Sequence, residues 1–227
     1  VKISEIFYSI QGEGILIGTP SLFIRTSGCN LRCEWCDTPY ASWKPEGEEL
    51  TVDEILSQAW RCAARHVVIT GGEPLIAPDI VRLTELLAHA GLHITIETAG
   101  TVCVPVKCDL MSISPKLANS TPRYKEGGRW ARQHERFRLQ PNVLRTLVSD
   151  YEYQLKFVVQ NPDDIMEIRD LVEQLQADIN RVVLMPEGTD PVLLRQKSLW
   201  LVELCKQEGY RFSPRLQIDL YGNRRGF

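Results

Sequence analysis

Apolar and polar residues alternate from Lys2 to Ser9 (KISEIFYS), the period of a strand with one buried face. Gly12-Glu13-Gly14 follows and predicts a turn. Ser21 to Thr26 (SLFIRT) is a second short strand, and residues 37–50, punctuated by Pro39, Pro45 and Gly47, read as loop. Thr51-Val52-Asp53-Glu54 has the form of a capping box, which starts a helix running to about Arg65. His66 to Thr70 (HVVIT) is a nearly continuous apolar run, a buried strand that ends at Gly71-Gly72. A helix over Asp79–Ala90 stops at Gly91, where a left-handed cap is wanted. Strands follow at Leu92–Glu97, Leu110–Ser114, Gln154–Gln160 and Arg181–Met185. Helical spacing covers Asp163–Gln176 and Val192–Gln207, and Phe212–Leu220 reads as a last extended segment.

Strand and helix patterns thus alternate at least four times downstream of residue 38. That predicts an α/β fold with a parallel sheet and right-handed crossovers. The chain of 227 residues is short for a full eight-unit barrel. No linker, repeat or break in composition divides it, so residues 1–227 are expected to form a single domain. Between Lys116 and Arg138 the pattern dissolves. Seven Lys/Arg stand there against two Glu, with Gly127-Gly128 and little apolar periodicity. The stretch reads as loop or short irregular helix, a solvated insertion rather than a nucleic-acid patch. Covering an anionic substrate is the other role open to it.

Composition narrows the class without naming it. The chain is 44% hydrophobic and 24% charged, a globular balance, and its net charge of −3 gives no drive toward nucleic acid or anionic lipid. No apolar run approaches the ~18 residues of a membrane span. The opening VKISEIFYS alternates as a strand does and is not a signal peptide. Seven cysteines without an export signal predict a reducing cytoplasm and thiols used for metal.

The chemistry concentrates at Gly28–Thr38 (GCNLRCEWCDT), where Cys29, Cys33 and Cys36 stand at C-x₃-C-x₂-C spacing in a polar loop. Three thiolates so placed can turn toward one metal centre. They are one short of what a tetrahedral zinc or a closed [4Fe–4S] cluster takes. A cubane on three cysteines keeps one iron free for a small molecule. The alternative is a structural zinc whose fourth ligand is a distant His or Cys, although no second cysteine pair with zinc spacing occurs. Cys62, Cys103, Cys108 and Cys205 read as small core residues.

The cysteine motif, with Trp35 before its third member, resembles the radical S-adenosylmethionine (SAM) superfamily. SIQGEG (Ser9–Gly14), CDT (Cys36–Thr38), TGGEP (Thr70–Pro74), ETAGT (Glu97–Thr101), SPK (Ser114–Lys116) and the tail YGNRRGF (Tyr221–Phe227) narrow the resemblance to the 7-carboxy-7-deazaguanine synthase family. The superfamily implies a partial, open β/α barrel. The family implies a lyase that uses a [4Fe–4S] cluster, SAM and Mg²⁺. A 5′-deoxyadenosyl radical would take hydrogen from C6 of 6-carboxy-5,6,7,8-tetrahydropterin; ring contraction and loss of ammonia would give 7-carboxy-7-deazaguanine, a queuosine precursor. An electron donor such as a flavodoxin and a homodimer are implied as well. The rivals are another radical SAM enzyme, such as a glycyl-radical activase, or a non-enzymatic iron–sulfur or zinc protein.

Site residues follow from the motifs. Read alone, Gly72-Glu73 after a strand is an ordinary turn, Glu13 and Arg25 are surface residues, and Thr38 is a loop cap. The resemblance raises Cys29, Cys33 and Cys36 to cluster ligands and Thr38 to a ligand of Mg²⁺. It places SAM against Trp35, Cys36, Asp37, Gly72, Glu73, Glu97, Ser114, Pro115 and Lys116, with the Glu73 carboxylate on the methionine ammonium. It places the pterin against Ile10, Gln11, Gly12, Glu13, Arg25 and Thr70. There Glu13 would accept two hydrogen bonds from the ring edge, and Arg25 would grip the carboxylate. Phe227 joins this set if the chain end folds back. No residue stands out as a general base.

Overall fold

Parity along the strands divides this molecule into a dry face and a reactive one. A computed structural model describes residues 1–227. Its strands are β1 (Lys2–Ile10), β2 (Pro20–Thr26), β3 (Glu48–Glu49), β4 (His66–Gly71), β5 (His93–Thr98), β6 (Leu110–Ile113), β7 (Tyr153–Val159), β8 (Val182–Pro186) and β9 (Arg211–Phe212). They form one open sheet in the order β3-β1-β2-β4-β5-β6-β7-β8-β9. From β2 to β9 every neighbouring pair is parallel. The helices are α1 (Pro39–Ser42), α2 (Val52–Ala59), α3 (Ile80–His89), α4 (Ala131–Arg138), α5 (Pro141–Asp150), α6 (Asp164–Leu175), α7 (Pro191–Glu208) and α8 (Leu216–Tyr221).

Alternate strand residues enter a core of 35 buried side chains, among them Ile24, Ile69, Ile96, Met111, Phe157 and Leu184, packed with Ile55, Leu83, Ile168 and Leu201 from the helices. Their chain neighbours point to the other face of the sheet. The open, mostly parallel β/α array agrees with the expected fold class. The edge departs from an all-parallel sheet, because β1 runs antiparallel to β2 and β3 antiparallel to β1. The connection between β1 and β2, residues 11–19, is too short for a crossover and forces a hairpin-like return.

Local signals act as their chemistry dictates. Thr51 Oγ1 accepts from the Glu54 amide, while the Thr51 amide donates to Glu54 Oε2 at 2.7 Å, so the capping box is complete. The helix it starts ends at Ala59 rather than near Arg65. Three-residue turns at Arg61 and Cys62 tighten the chain before β4. Gly91 takes φ 73°, the left-handed geometry that halts α3. Residues 37–50 are not all loop, since they contain the single turn α1 and the short β3.

Two larger readings are corrected. Phe212–Leu220 is not an extended segment: pairing stops at Phe212, and Leu216–Tyr221 coils into α8. Leu216, Ile218 and Leu220 alternate like a strand, but there is no sheet edge for them, and only Ile218 is buried. The Leu216 amide instead donates to Gly12 O, docking α8 on the turn after β1. The basic stretch after Lys116 is short irregular helix, as expected, and four of its seven basic residues are exposed, but it is more than a solvated insertion. It folds into α4 and packs on the cysteine loop, as described below. No helix is long and apolar enough to cross a membrane.

Candidate active site

The reactive face opens at the C-terminal ends of the parallel strands, where open α/β sheets bind ligands. A cleft of about 230 Å³ lies there. Arg25, Thr70, Glu97, Ser112, Lys156 and Met185 line it, one residue from each of β2, β4, β5, β6, β7 and β8. Each sits beside a core residue, so the parity that builds the core also aims this row into the cleft.

One wall is the cysteine loop. Cys29, Cys33 and Cys36 all face the cleft, and Leu31 and Ala99 pack among them. Arg32 Nη1 donates to Cys29 O and Leu31 O, both at 2.7 Å, and Trp43 Nε1 donates to Cys33 O at 3.0 Å. Gly72 presses on the loop from β4: a Cβ there would lie 2.2 Å from Gly28 O and 2.7 Å from Cys29 Cβ. Residues 117–138 cover the loop from outside. Arg32 N–H donates to His134 Nδ1 at 3.2 Å, which leaves Nε2 to donate to Ser120 Oγ at 2.9 Å, and Ser120 Oγ–H donates to Leu117 O. Glu34 N–H donates to Ser120 O, and Trp35 Nε1 donates to Asn119 Oδ1.

The donor set fits an iron–sulfur cluster. Burial pushes the Cys29 thiol up to about 12 and Cys33 higher still, so thiolates here need a cationic partner. Cys62, Cys103, Cys108 and Cys205 do not line the cleft, so no fourth cysteine completes the set.

The opposite wall is the turn Gln11–Gly14, held by charge. Lys156 Nζ donates to Glu13 Oε2 at 2.5 Å and lies 3.8 Å from Glu97 Oε1. Arg215 Nε and Gln217 Nε2 both donate to Glu13 Oε1, at 3.1 and 2.7 Å. Burial opposes the Glu13 charge, yet Lys156 and Arg215 overcome it and hold the carboxyl well below the usual carboxylate range. Arg215 also donates to Gly188 O and Asp37 Oδ2. Gly14 N–H donates to Ser213 Oγ at 2.8 Å, and Ile15 N–H donates to Gln154 Oε1 at 2.9 Å. Gly12 leaves no room for a side chain, because a Cβ would meet Gln217 Oε1 at 1.8 Å.

The structure brings most of the anticipated residues to this one cleft. Ile10, Gln11, Gly12, Glu13, Arg25, Trp35, Asp37, Thr38, Thr70, Gly72, Glu97, Ser114, Lys116 and Phe227 line it with the three cysteines. Glu73 and Pro115 do not. Glu73 is fully buried: Thr98 Oγ1, the Ala99 amide and the Leu75 amide donate to its carboxylate, so it ties β4 to β5. Glu13 is more engaged than a bare carboxylate would be. Two donors fill Oε1 and one sits on Oε2, leaving room for one further hydrogen bond rather than two. Arg25 Nε donates to Glu5 at 2.8 Å, and no protein partner takes its terminal nitrogens. Lys116 Nζ donates to Ser114 O and Oγ and pairs with no carboxylate.

Lys156, Arg215 and Gln217 belong to the site and were not among the residues read from the sequence. Lys156 carried a usable signal, as the one charged residue in the strand QLKFVVQ. Arg215 and Gln217 carried none, since both fell in Phe212–Leu220, which reads as a plain extended segment.

The comparisons with known proteins agree with this geometry. The radical SAM superfamily model matches residues 23–116. The 7-carboxy-7-deazaguanine synthase of Rhodopirellula baltica is 50% identical over 225 residues, covering 99% of this chain and 88% of that protein. The 7-carboxy-7-deazaguanine synthase of Halobacterium salinarum is 44% identical, covering 98% and 91%. The crystal structure of QueE from Escherichia coli matches with a TM-score of 0.69 at 28% identity, covering 95% of this chain and 93% of that one. Since the identity extends well past the superfamily region to nearly the whole chain, the protein belongs to the 7-carboxy-7-deazaguanine synthase family of radical SAM enzymes.

Proposed function

We propose that this chain converts 6-carboxy-5,6,7,8-tetrahydropterin to 7-carboxy-7-deazaguanine with release of ammonia. The carrying observation is that one small cleft faces three thiols on one side and a Glu13 carboxylate locked in its ionised form on the other. When bound, the cluster and SAM supply one-electron cleavage of SAM and hydrogen abstraction from the substrate.

The chain's own residues bind and orient. Cys29, Cys33 and Cys36 would hold the cluster, with no fourth cysteine in the cleft to complete the set. Gly72, Trp35, Glu97 and Ser114 form the SAM bed, with Lys116 as a cation still lacking a carboxylate. Glu13 accepts one N–H of the pterin edge at Oε2, and Gln11, Gly12 and Thr70 shape its seat. The free nitrogens of Arg25 take the substrate carboxylate. Thr38 lines the cleft and would offer a hard oxygen to Mg²⁺. Phe227 lines the cleft beside Tyr221 and adds to the substrate side. A flavodoxin-like donor, a homodimer and a reducing cytoplasm complete the proposal.

A cleft of about 230 Å³ walled by buried ion pairs suits a small heterocycle better than a peptide loop, which disfavours a glycyl-radical activase. The test is anaerobic reconstitution followed by SAM, dithionite and the carboxypterin. A deazapurine product by mass and absorbance, with roughly four irons per chain, is the expected result. Zinc, or a cluster whose spectrum ignores SAM, would end the reading.

A further inference from the structure

We propose that Arg215 is a positioning residue that joins the two walls of the cleft, so that the pterin seat and the cluster corner move as one body. The proposal rests on the functional reading above. Its basis is the reach of a single guanidinium that is only 8% exposed. Nε donates to Glu13 on the turn after β1 at 3.1 Å. Nη1 donates to Gly188 O in the loop between β8 and α7 at 2.5 Å. Nη2 donates to Asp37, the residue directly after the third cluster cysteine. Three segments, up to 202 positions from Arg215 in sequence, meet on its one planar group.

Arginine is required by geometry. Its N–H donors point outward in a rigid fork, whereas an ammonium is a point charge that cannot hold three widely spread acceptors at once. The arms also differ in what they leave behind. Without Arg215, Glu13 keeps Lys156 and Gln217, so the seat loosens but stays charged and anchored. Asp37 has no other partner in the structure and is released outright. Loss of Arg215 should therefore register on both sides, while loss of either acceptor registers on one.

The experiment uses the reconstituted chain and the variants R215K, D37N and E13Q. Two readouts are taken. One is binding of oxidised 6-carboxypterin, an unreactive analogue, to the chain without SAM, followed by tryptophan fluorescence. The other is the electron paramagnetic resonance spectrum of the reduced cluster before and after SAM. Neither readout is turnover. R215K should weaken the pterin at least about tenfold, the scale of one charge-assisted contact network, and also shift the SAM-induced spectrum. D37N should shift the spectrum and leave pterin affinity within about twofold of the parent, and E13Q the reverse; twofold is a difference of under half a kcal/mol. A purely structural role would lower the melting temperature of R215K without moving the spectrum. If R215K moves only one readout or neither, the proposal is overturned. If R215K fails to fold, D37N decides: an unchanged spectrum overturns the proposal and a shifted one supports it. A parent chain that binds SAM at its cluster but no pterin would sink the functional reading itself, and with it this one.

Discussion

The two walls of the cleft are built from different materials. The cluster wall is held by backbone and apolar contacts: Gly72 against Gly28 O, Leu31 and Ala99 among the thiols, and Arg32 on its own loop's carbonyls. The substrate wall is held by charge: Glu13, Lys156, Glu97 and Arg215 form one connected network, and the far arm of Arg215 reaches Asp37 on the cluster wall. The first wall is intolerant of added volume. The second weakens when one charge is removed, because its buried partners then lose part of their compensation.

The sharpest break is on the cluster wall. Cys33→Ala removes one of three ligands, and retained iron should fall from roughly four per chain to below one, with activity lost. An iron assay after anaerobic reconstitution and gel filtration checks it. On the opposite wall, Lys156→Met leaves Glu13 and Glu97 without their ammonium. Denaturant unfolding should show a loss of about 3–5 kcal/mol, and adding Glu13→Gln should recover part of it.

Acid separates the walls differently. Burial lowers both His66 and His134 to about 4, so both are neutral in the folded chain at neutral pH. The unfolded chain binds those protons first, from about pH 6.5 downward. Stability is therefore fully present above about pH 6.5 and falls as the pH drops toward 4, by roughly 3 kcal/mol per imidazole at most. His134→Gln should flatten that slope by about one proton, measured by unfolding across the range. Only the cluster wall contains such a group, since His134 is the link to Arg32.

Gly72→Ala adds volume where Gly28 O stands 2.2 Å from the new Cβ. It should cost about 1–3 kcal/mol and weaken SAM while leaving carboxypterin binding unchanged. Calorimetry with each ligand distinguishes this from a general loss of fold. The smallest effect belongs to neither wall. Thr51→Ala deletes the capping box of α2, costs about 1 kcal/mol, and should leave both ligand affinities untouched in the same titrations.

How much of this was readable in the chain follows the same division. The cluster wall is local. Its ligands fall within eight residues, Cys29 to Cys36, and its flanking strand is announced by HVVIT and Gly71-Gly72. The strands of the parallel sheet were visible as well, because each carries alternate apolar residues for the core, and HVVIT is apolar almost throughout. Glu13 was visible as a residue but not as a device, since its partners lie 143 and 202 positions away. The clamp of α4 on the cysteine loop was hidden for a related reason. Its one fully buried polar group, His134, sits in a run of charges that looks solvated until Ser120 and Arg32 are brought beside it.

By itself, the sequence determined which chemistry is possible: three thiols at a spacing only a loop can present, and apolar runs that must pair into a buried parallel sheet. Both are short-range constraints, fixed by chain geometry and by the cost of leaving apolar surface wet. The tertiary structure alone decided the state of the charges. Whether a buried carboxylate is ionised, filled or free depends on which cations the fold carries to within about 4 Å of it, and in this molecule those cations arrive from β7 and from the approach to α8.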